Sequence, residues 1–212
     1  PGRLMTPPSV TVDAEGTVTG NTYDKYGSTN PVVRRLMAGF ERTLDELFAK
    51  AAPRTLLDVG CGEGVLVEKW AKRIPGRVVG IDLEDPHLQA EWEKRQVPNL
   101  EYRIMKAENL PFADDEFTTA TAIEVLEHVP DPRHTLAEMA RCASEHLIVS
   151  VPREPLWRAL NMARGAYLKD LGNTPGHVNH WSKRAFVSLL SEYGTVVEAR
   201  SPFPWTMLLV RL

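Results

Sequence analysis

The stretch EVLEHV, residues 124–129, places Glu124, Glu127 and His128 within five positions. If the chain turns helically there, these three occupy positions i, i+3 and i+4 and share a face. Two carboxylate oxygens and an imidazole nitrogen can then converge on one divalent cation. A fourth ligand must come from elsewhere, and GNTPGHVNHWSKRAF, residues 172–186, offers His177 and His180. Without a metal, His128 or His177 is a natural general base, because imidazole titrates near neutral pH. A third reading has the same groups capping a turn. The surroundings decide among these.

A second set lies upstream. LLDVGCGEG, residues 56–64, puts Asp58 at the end of an apolar run, followed by Gly60, Gly62 and Gly64. Glycines at such a turn let the backbone approach a ligand closely and adopt positive φ, and the helix N-terminus that follows faces whatever binds. A G-x-G-x-G turn alone would serve a dinucleotide. Here Glu63 sits where a pyrophosphate would lie; its charge opposes a diphosphate but tolerates a sulfonium with an amino-acid tail. Asp82, in VVGIDL, can accept both hydroxyls of a ribose. In KAENLPFADDEFT, residues 106–118, Glu108 can accept an adenine amine and Ala107 can offer its backbone.

The elements that must position these residues follow from periodicity. NPVVRRLMAGFERTLDELFAK has an N-cap candidate in Asn30, Pro31 at the first helical position, and Val33, Leu36, Met37, Phe40, Leu44, Leu47 and Phe48 at helical spacing. From Arg54 onward, strands alternate with helices: TLLDVG, RVVGIDL, LEYRIMK, FTTATAIE and EHLIVSVP read as strands, with EGVLVEKWAKR, PHLQAEWEKRQ and RHTLAEMARCA between them as helices. That alternation implies an α/β fold with a mainly parallel sheet covered by helices on both faces. SKRAFVSLLSEYG returns to helix, and TVVEARS and WTMLLVRL, joined by PFP, form an antiparallel pair. Residues 1–29 read as an N-terminal arm, and 30–212 as one domain with a lid-like insertion at about 153–181.

Bulk properties agree with a single domain. The chain has 212 residues, 43% hydrophobic and 25% charged, with a net charge of −3. No strongly basic balance points to a nucleic-acid-coating surface, no apolar run approaches the roughly 18 residues of a spanning helix, and PGRLMTPPSV lacks the pattern of a signal peptide. Cys61 and Cys142 are too few for a disulfide framework, so free thiols in a reducing cytoplasm are expected.

LLDVGCGEG, GIDL, AENLPFADDEF, EVLEHVPDP and LIVSVP, in this order and spacing, resemble the class I S-adenosylmethionine-dependent methyltransferases of the small-molecule type, which include ubiquinone-pathway O-methyltransferases. The resemblance is tight over roughly residues 50–152. It implies a Rossmann-like, seven-stranded sheet whose last strand is antiparallel. It places Asp58, Gly60 and Gly62 along the methionine part of the cofactor, Asp82 at the ribose, Ala107 and Glu108 at the adenine, and Glu124 beside the sulfonium. A sharper, partial resemblance is to small-RNA 3′-terminal 2′-O-methyltransferases, whose Glu-x-x-Glu-His and later histidine bind Mg²⁺ or Mn²⁺. Glu124, Glu127 and His128 match the first part, and His177, four residues before Trp181, fits the second better than His180 does. The chain departs from those enzymes in having no basic run.

The resemblance thus implies methyl transfer to a small-molecule acceptor, most simply an oxygen nucleophile. A metal-dependent RNA 2′-O-methyltransferase and a non-catalytic cofactor-binding domain are the alternatives. The insertion carries Arg153, Arg158, Arg164 and Lys169 among Trp157, Leu160, Met162, Tyr167 and Leu168, which suits an amphipathic or anionic acceptor as well as it suits a solvated helix. Tyr23 and Tyr26 in the arm could close over a ligand. Of the five tryptophans, Trp181 is the one the motif places at the site.

Overall fold

A computed structural model of the chain describes residues 11–12, 18–19, 29–163 and 165–212. Tyr23, Tyr26 and Arg164 lie outside the described residues. Near the start, β1 (Thr11–Val12) pairs antiparallel with β2 (Val18–Thr19).

Helix α1 (Pro31–Ala51) begins where Asn30 Oδ1 accepts the Val32 N–H, with Pro31 supplying the preset φ of a first helical residue. It ends at Ala52, whose left-handed φ of 47° breaks the helical path. Its buried stripe of Met37, Phe40, Leu44, Leu47 and Phe48 is the one its periodicity predicts.

Seven strands follow in one sheet: β3 (Leu56–Val59), β4 (Val78–Asp82), β5 (Leu100–Ile104), β6 (Phe117–Ile123), β7 (Ala143–Pro152), β8 (Thr195–Arg200) and β9 (Trp205–Arg211). Their order is β5-β4-β3-β6-β7-β9-β8. All pairings among β3 to β7 are parallel, while β9 runs antiparallel to both β7 and β8. Between them lie α2 (Val65–Ala71), α3 (Pro86–Lys94), α4 (Pro132–Cys142), α5 (Leu156–Ala163) and α6 (Lys183–Leu190). Aspartates cap α3 and α4, each ahead of a first-turn proline: Asp85 accepts from the His87 N–H, and Asp131 from the Arg133 and His134 N–H groups.

One face of the sheet packs Trp70, Leu88 and Trp92 together with α1. The other packs Leu136, Met139 and Cys142 of α4 with Phe186 and Leu190 of α6. The doubly covered sheet expected from the alternation is therefore the observed one. Leu57 and Ala120, paired across β3 and β6, are fully buried, and a Leu57→Ala cavity there would cost about 2–5 kcal/mol. Among the described residues, no helix is long and apolar enough to cross a membrane.

The architecture matters for function at one place. The chain leaves β3 toward β4 on one side, while β6 adds on the other. A crevice opens where the order reverses, beyond the carboxyl ends of β3 and β6.

Candidate active site

The glycine loop joins β3 to α2 at that crevice. Gly60 has φ +71°, and a Cβ built on it would come within 2.4 Å of Val125 Cγ2, so backbone conformation and space both require glycine. The Gly60 and Cys61 N–H groups donate to Ile81 O at 2.8 and 2.9 Å, fastening the loop to β4. Gly62, also at positive φ, donates its N–H to Asp82 Oδ2 at 2.6 Å, and Asp82 Oδ1 accepts the Leu83 N–H at 2.8 Å.

Asp58 is buried behind the loop, accepting a 2.5 Å hydrogen bond from Thr121 Oγ1. Burial pushes its carboxyl up to about 7, offset in part by the Thr121 hydroxyl and reinforced by the Asp82 charge. Asp82 is raised in the same direction by burial, against which the Gly62 and Leu83 N–H groups work. Two carboxyls held this way favour a cation between or beside them. A ligand with a sulfonium and an ammonium fits that demand; a diphosphate does not.

Asp58, Gly60, Gly62, Glu63 and Glu124 line one cavity of about 70 Å³ with Met37, Phe40, Ile123 and Trp205. Asp82 reaches it through its bond to Gly62. Ala107 and Glu108 do not line this cavity. They lie between β5 and β6, where Ala107 packs against the core and Glu108 O contacts the His134 ring.

The expected helical turn of EVLEHV does not form. Glu124 takes a left-handed φ of 60°, its N–H meets Ser150 O and Ser150 Oγ at 3.2 and 3.1 Å, and Ser150 Oγ donates to Glu124 Oε1 at 2.9 Å. His128 N then closes a turn onto Val125 O at 2.9 Å. Glu124 lines the cavity at the glycine loop, and the cluster formed by the other two residues of the stretch does not include it.

Glu127 and His128 meet His177. One ligand atom from each lies within 4.8 Å of the others, and the two imidazoles stand edge to face at 4.8 Å. Glu127 is 2% and His177 8% exposed. His128 Nδ1 is 3.0 Å from Gly176 O. A carbonyl only accepts, so Nδ1 is the donor of this bond. His180 lies outside the cluster, its exposed ring bonded to Asn173 Oδ1 at 2.7 Å.

Main-chain bonds bring His177 there. Val178 N and Asn179 N both donate to Glu127 O at 2.9 and 3.1 Å. A series of rings connects the cluster to the cavity: His177 faces Trp157 at 6.3 Å, Trp157 meets Trp205 at 5.9 Å, and Trp205 meets Phe40 at 4.9 Å.

Residues 57–146 match the family model described as a methyltransferase domain. A ubiquinone biosynthesis O-methyltransferase of Albidiferax ferrireducens is 31% identical over 69% of this chain and 60% of its own. One from Acinetobacter baylyi is 39% identical over 42% of this chain and 39% of its own. Residues 57–146 thus form a methyltransferase domain. The chain spans about 40 to 60% of the length of these relatives. The fold recurs at 18% identity in the magnesium protoporphyrin IX methyltransferase of Synechocystis, solved with bound SAH, with a TM-score of 0.64 over 87% of this chain and 89% of that one. It recurs at 20% identity in a SAM-dependent methyltransferase of Aquifex aeolicus, with a TM-score of 0.62 over 81% and 88%.

Several site residues escaped the sequence reading. Trp205 lines the cavity and Trp157 faces His177, whereas Trp181, the tryptophan the motif pointed to, packs on Phe186. Thr121, Ser150 and Asn179 carry no catalytic signature, and only their hydrogen bonds reveal them. Arg153 and Arg158 line a separate open groove of about 730 Å³ with Leu156, Met162, Leu171 and Lys183.

Proposed function

We propose that the domain binds S-adenosylmethionine along the β3–α2 loop and transfers its methyl group to an oxygen nucleophile of a small-molecule acceptor held near Glu127, His128 and His177. The observation that carries this reading is the turn at 124–129. It sets Glu124 on the cofactor cavity and, three residues later, Glu127 and His128 against His177.

The residues divide the work. Asp58 supplies buried negative charge for the ligand's cationic end, Asp82 offers its remaining lone pairs to ribose hydroxyls, and the glycine loop forms a wall of the cavity. When bound, the cofactor supplies an electrophilic methyl whose departure relieves the sulfonium charge, so the protein's task is mainly orientation and exclusion of water. His128, oriented by the bond between Nδ1 and Gly176 O, serves in this reading as the general base that takes the acceptor's proton.

Glu127, His128 Nε2 and His177 would also hold a divalent cation. Two imidazoles with one carboxylate suit Mn²⁺ better than Mg²⁺, which prefers an all-oxygen shell. Such an ion would polarise the acceptor oxygen and steady its developing charge. Segment 153–181, tied to the turn through Glu127 O and packed through Trp157, acts in this reading as the cover over the acceptor. The O-methyltransferase relatives support oxygen as nucleophile, and two buried free thiols suit a cytoplasmic setting.

The test is transfer of labelled methyl from S-adenosylmethionine to a panel of vicinal dihydroxy-aromatic and monohydroxy compounds, with and without Mn²⁺, beside calorimetric binding of S-adenosylhomocysteine. Binding with label on an oxygen acceptor is expected. Binding with no transfer to any acceptor would leave a non-catalytic cofactor-binding domain. Transfer to an RNA 3′ end alone would move the reading to an RNA 2′-O-methyltransferase.

A further inference from the structure

Gly62 is held from both sides. Its N–H donates to Asp82 Oδ2 at 2.6 Å, and its C=O accepts from the indole Nε1 of Trp92 at 2.7 Å. Trp92 lies on α3, is 6% exposed, and does not line the cofactor cavity. It stacks on Tyr102 at 5.1 Å with 5° between the planes. Tyr102 in turn crowds the last glycine of the loop: a Cβ on Gly64 would meet its hydroxyl at 2.6 Å. The Tyr102 hydroxyl donates to Arg95 O at 3.2 Å, just beyond α3. A rigid aromatic pair therefore backs the glycine loop at two of its three glycines.

The indole bond has a directional consequence. The Gly62–Glu63 peptide is trans, so its C=O and N–H point in opposite directions. With the C=O bonded to Trp92, the Glu63 N–H is directed away from the indole, and Gly62 and Glu63 both line the cavity. We propose that Trp92 is a positioning residue: it locks this peptide so that the Glu63 N–H serves as a donor for the carboxylate of the ligand's amino-acid tail. The inference rests on the cofactor reading above and deepens it by assigning a subsite for one group of the ligand. The indole N–H is a well-suited lever, because it only donates and sits on a ring with few rotatable bonds.

The test compares two ligands by calorimetry. S-adenosylhomocysteine carries the amino-acid tail, and methylthioadenosine lacks it while keeping the nucleoside. Trp92→Phe retains a ring on Tyr102 and removes only the donor; Trp92→Leu removes the donor with a smaller side chain, and either one that folds reports. Tyr102→Phe, which leaves the indole bond intact, is the control. The expected result is S-adenosylhomocysteine affinity lowered about tenfold in the Trp92 variants, the scale of one lost hydrogen bond to a charged group, with methylthioadenosine changed less than twofold. Tyr102→Phe should leave both affinities unchanged.

Equal losses for the two ligands would overturn the proposal in favour of general loosening of the loop. Unchanged S-adenosylhomocysteine binding would overturn it outright. Failure of the wild type to bind S-adenosylhomocysteine at all would instead remove the cofactor reading, and the subsite with it.

Discussion

The side-chain amide of Asn179 donates to the carbonyl of Leu126 at 3.1 Å and also to that of Val129 at 2.7 Å. A residue from beyond α5 thus closes the turn that leaves β6, and it does so two positions after His177. These side-chain bonds act beside the Val178 and Asn179 N–H bonds to Glu127 O, so the segment that completes the turn is also the one that carries the second imidazole.

Asn179→Asp keeps the side chain's shape but replaces the donor with an acceptor facing two carbonyls. A fall in stability of about 1–3 kcal/mol is expected, from two lost hydrogen bonds and a half-buried charge facing two carbonyls. Thermal unfolding measures it. Asn179→Ala should cost less, about 1–2 kcal/mol, and both variants should weaken whatever Glu127, His128 and His177 bind together.

The metal reading makes a sharper forecast. Mn²⁺ titrated into the S-adenosylhomocysteine complex should bind in the micromolar range, and His177→Ala and Glu127→Ala should each abolish that binding. Glu124→Gln should retain it, because Glu124 is turned onto Ser150 and the cofactor cavity. Absence of binding in the wild type would leave His128 or His177 as the base without a metal.

Asp58 gives a pH signature. Its carboxyl titrates at about 7 in the fold and near 3.9 when unfolded. Between those values the native state holds a proton that the unfolded chain has released, so the group's contribution to stability falls as pH rises from about 4 to about 7, then levels off. Only the ionised form pairs with an ammonium or sulfonium, so ligand affinity moves the opposite way and rises through the same region. Asp58→Asn should flatten both profiles, raise ligand-free stability at pH 8 and weaken S-adenosylhomocysteine binding. Melting curves and titrations from pH 5 to 8 decide it.

Gly60→Ala combines a strained backbone with a collision, since φ is +71° and Val125 Cγ2 stands 2.4 Å from the new methyl. The backbone term alone is about 1–2 kcal/mol. Val125→Ala in the same chain should restore the part of the stability lost to the collision and leave the part lost to φ. Ligand affinity should stay at least tenfold below wild type in the single variant, measured by calorimetry.

The fold was legible because its signals are local. Apolar runs bounded by glycine and proline marked β3 to β7, and helical spacing marked α1, α4 and α6. The glycine loop was legible for a related reason: positive φ restricts the choice of residue enough to show in the chain itself. The neighbourhood of Asp58, Gly60, Gly62 and Asp82 follows from that loop and from two adjacent parallel strands. The Tyr102 support beneath it left no local mark, because that contact crosses from β5 to the loop.

The sequence by itself determined the strand and helix order, the cofactor loop, and the set of carboxylates and imidazoles available for chemistry. Only the tertiary structure decided how that set divides. EVLEHV has helical spacing, yet Ser150 on the neighbouring strand captures Glu124 and holds it at a left-handed φ that no periodic pattern announces. Glu124 therefore goes to the cavity, while Glu127 and His128 go to His177. The same holds for His177 against His180: three positions separate them, and the choice was made by two N–H groups, those of Val178 and Asn179, converging on Glu127 O. Hydrogen bonds between segments some 50 residues apart in sequence have no period and no composition, so they become visible only when the chain is folded.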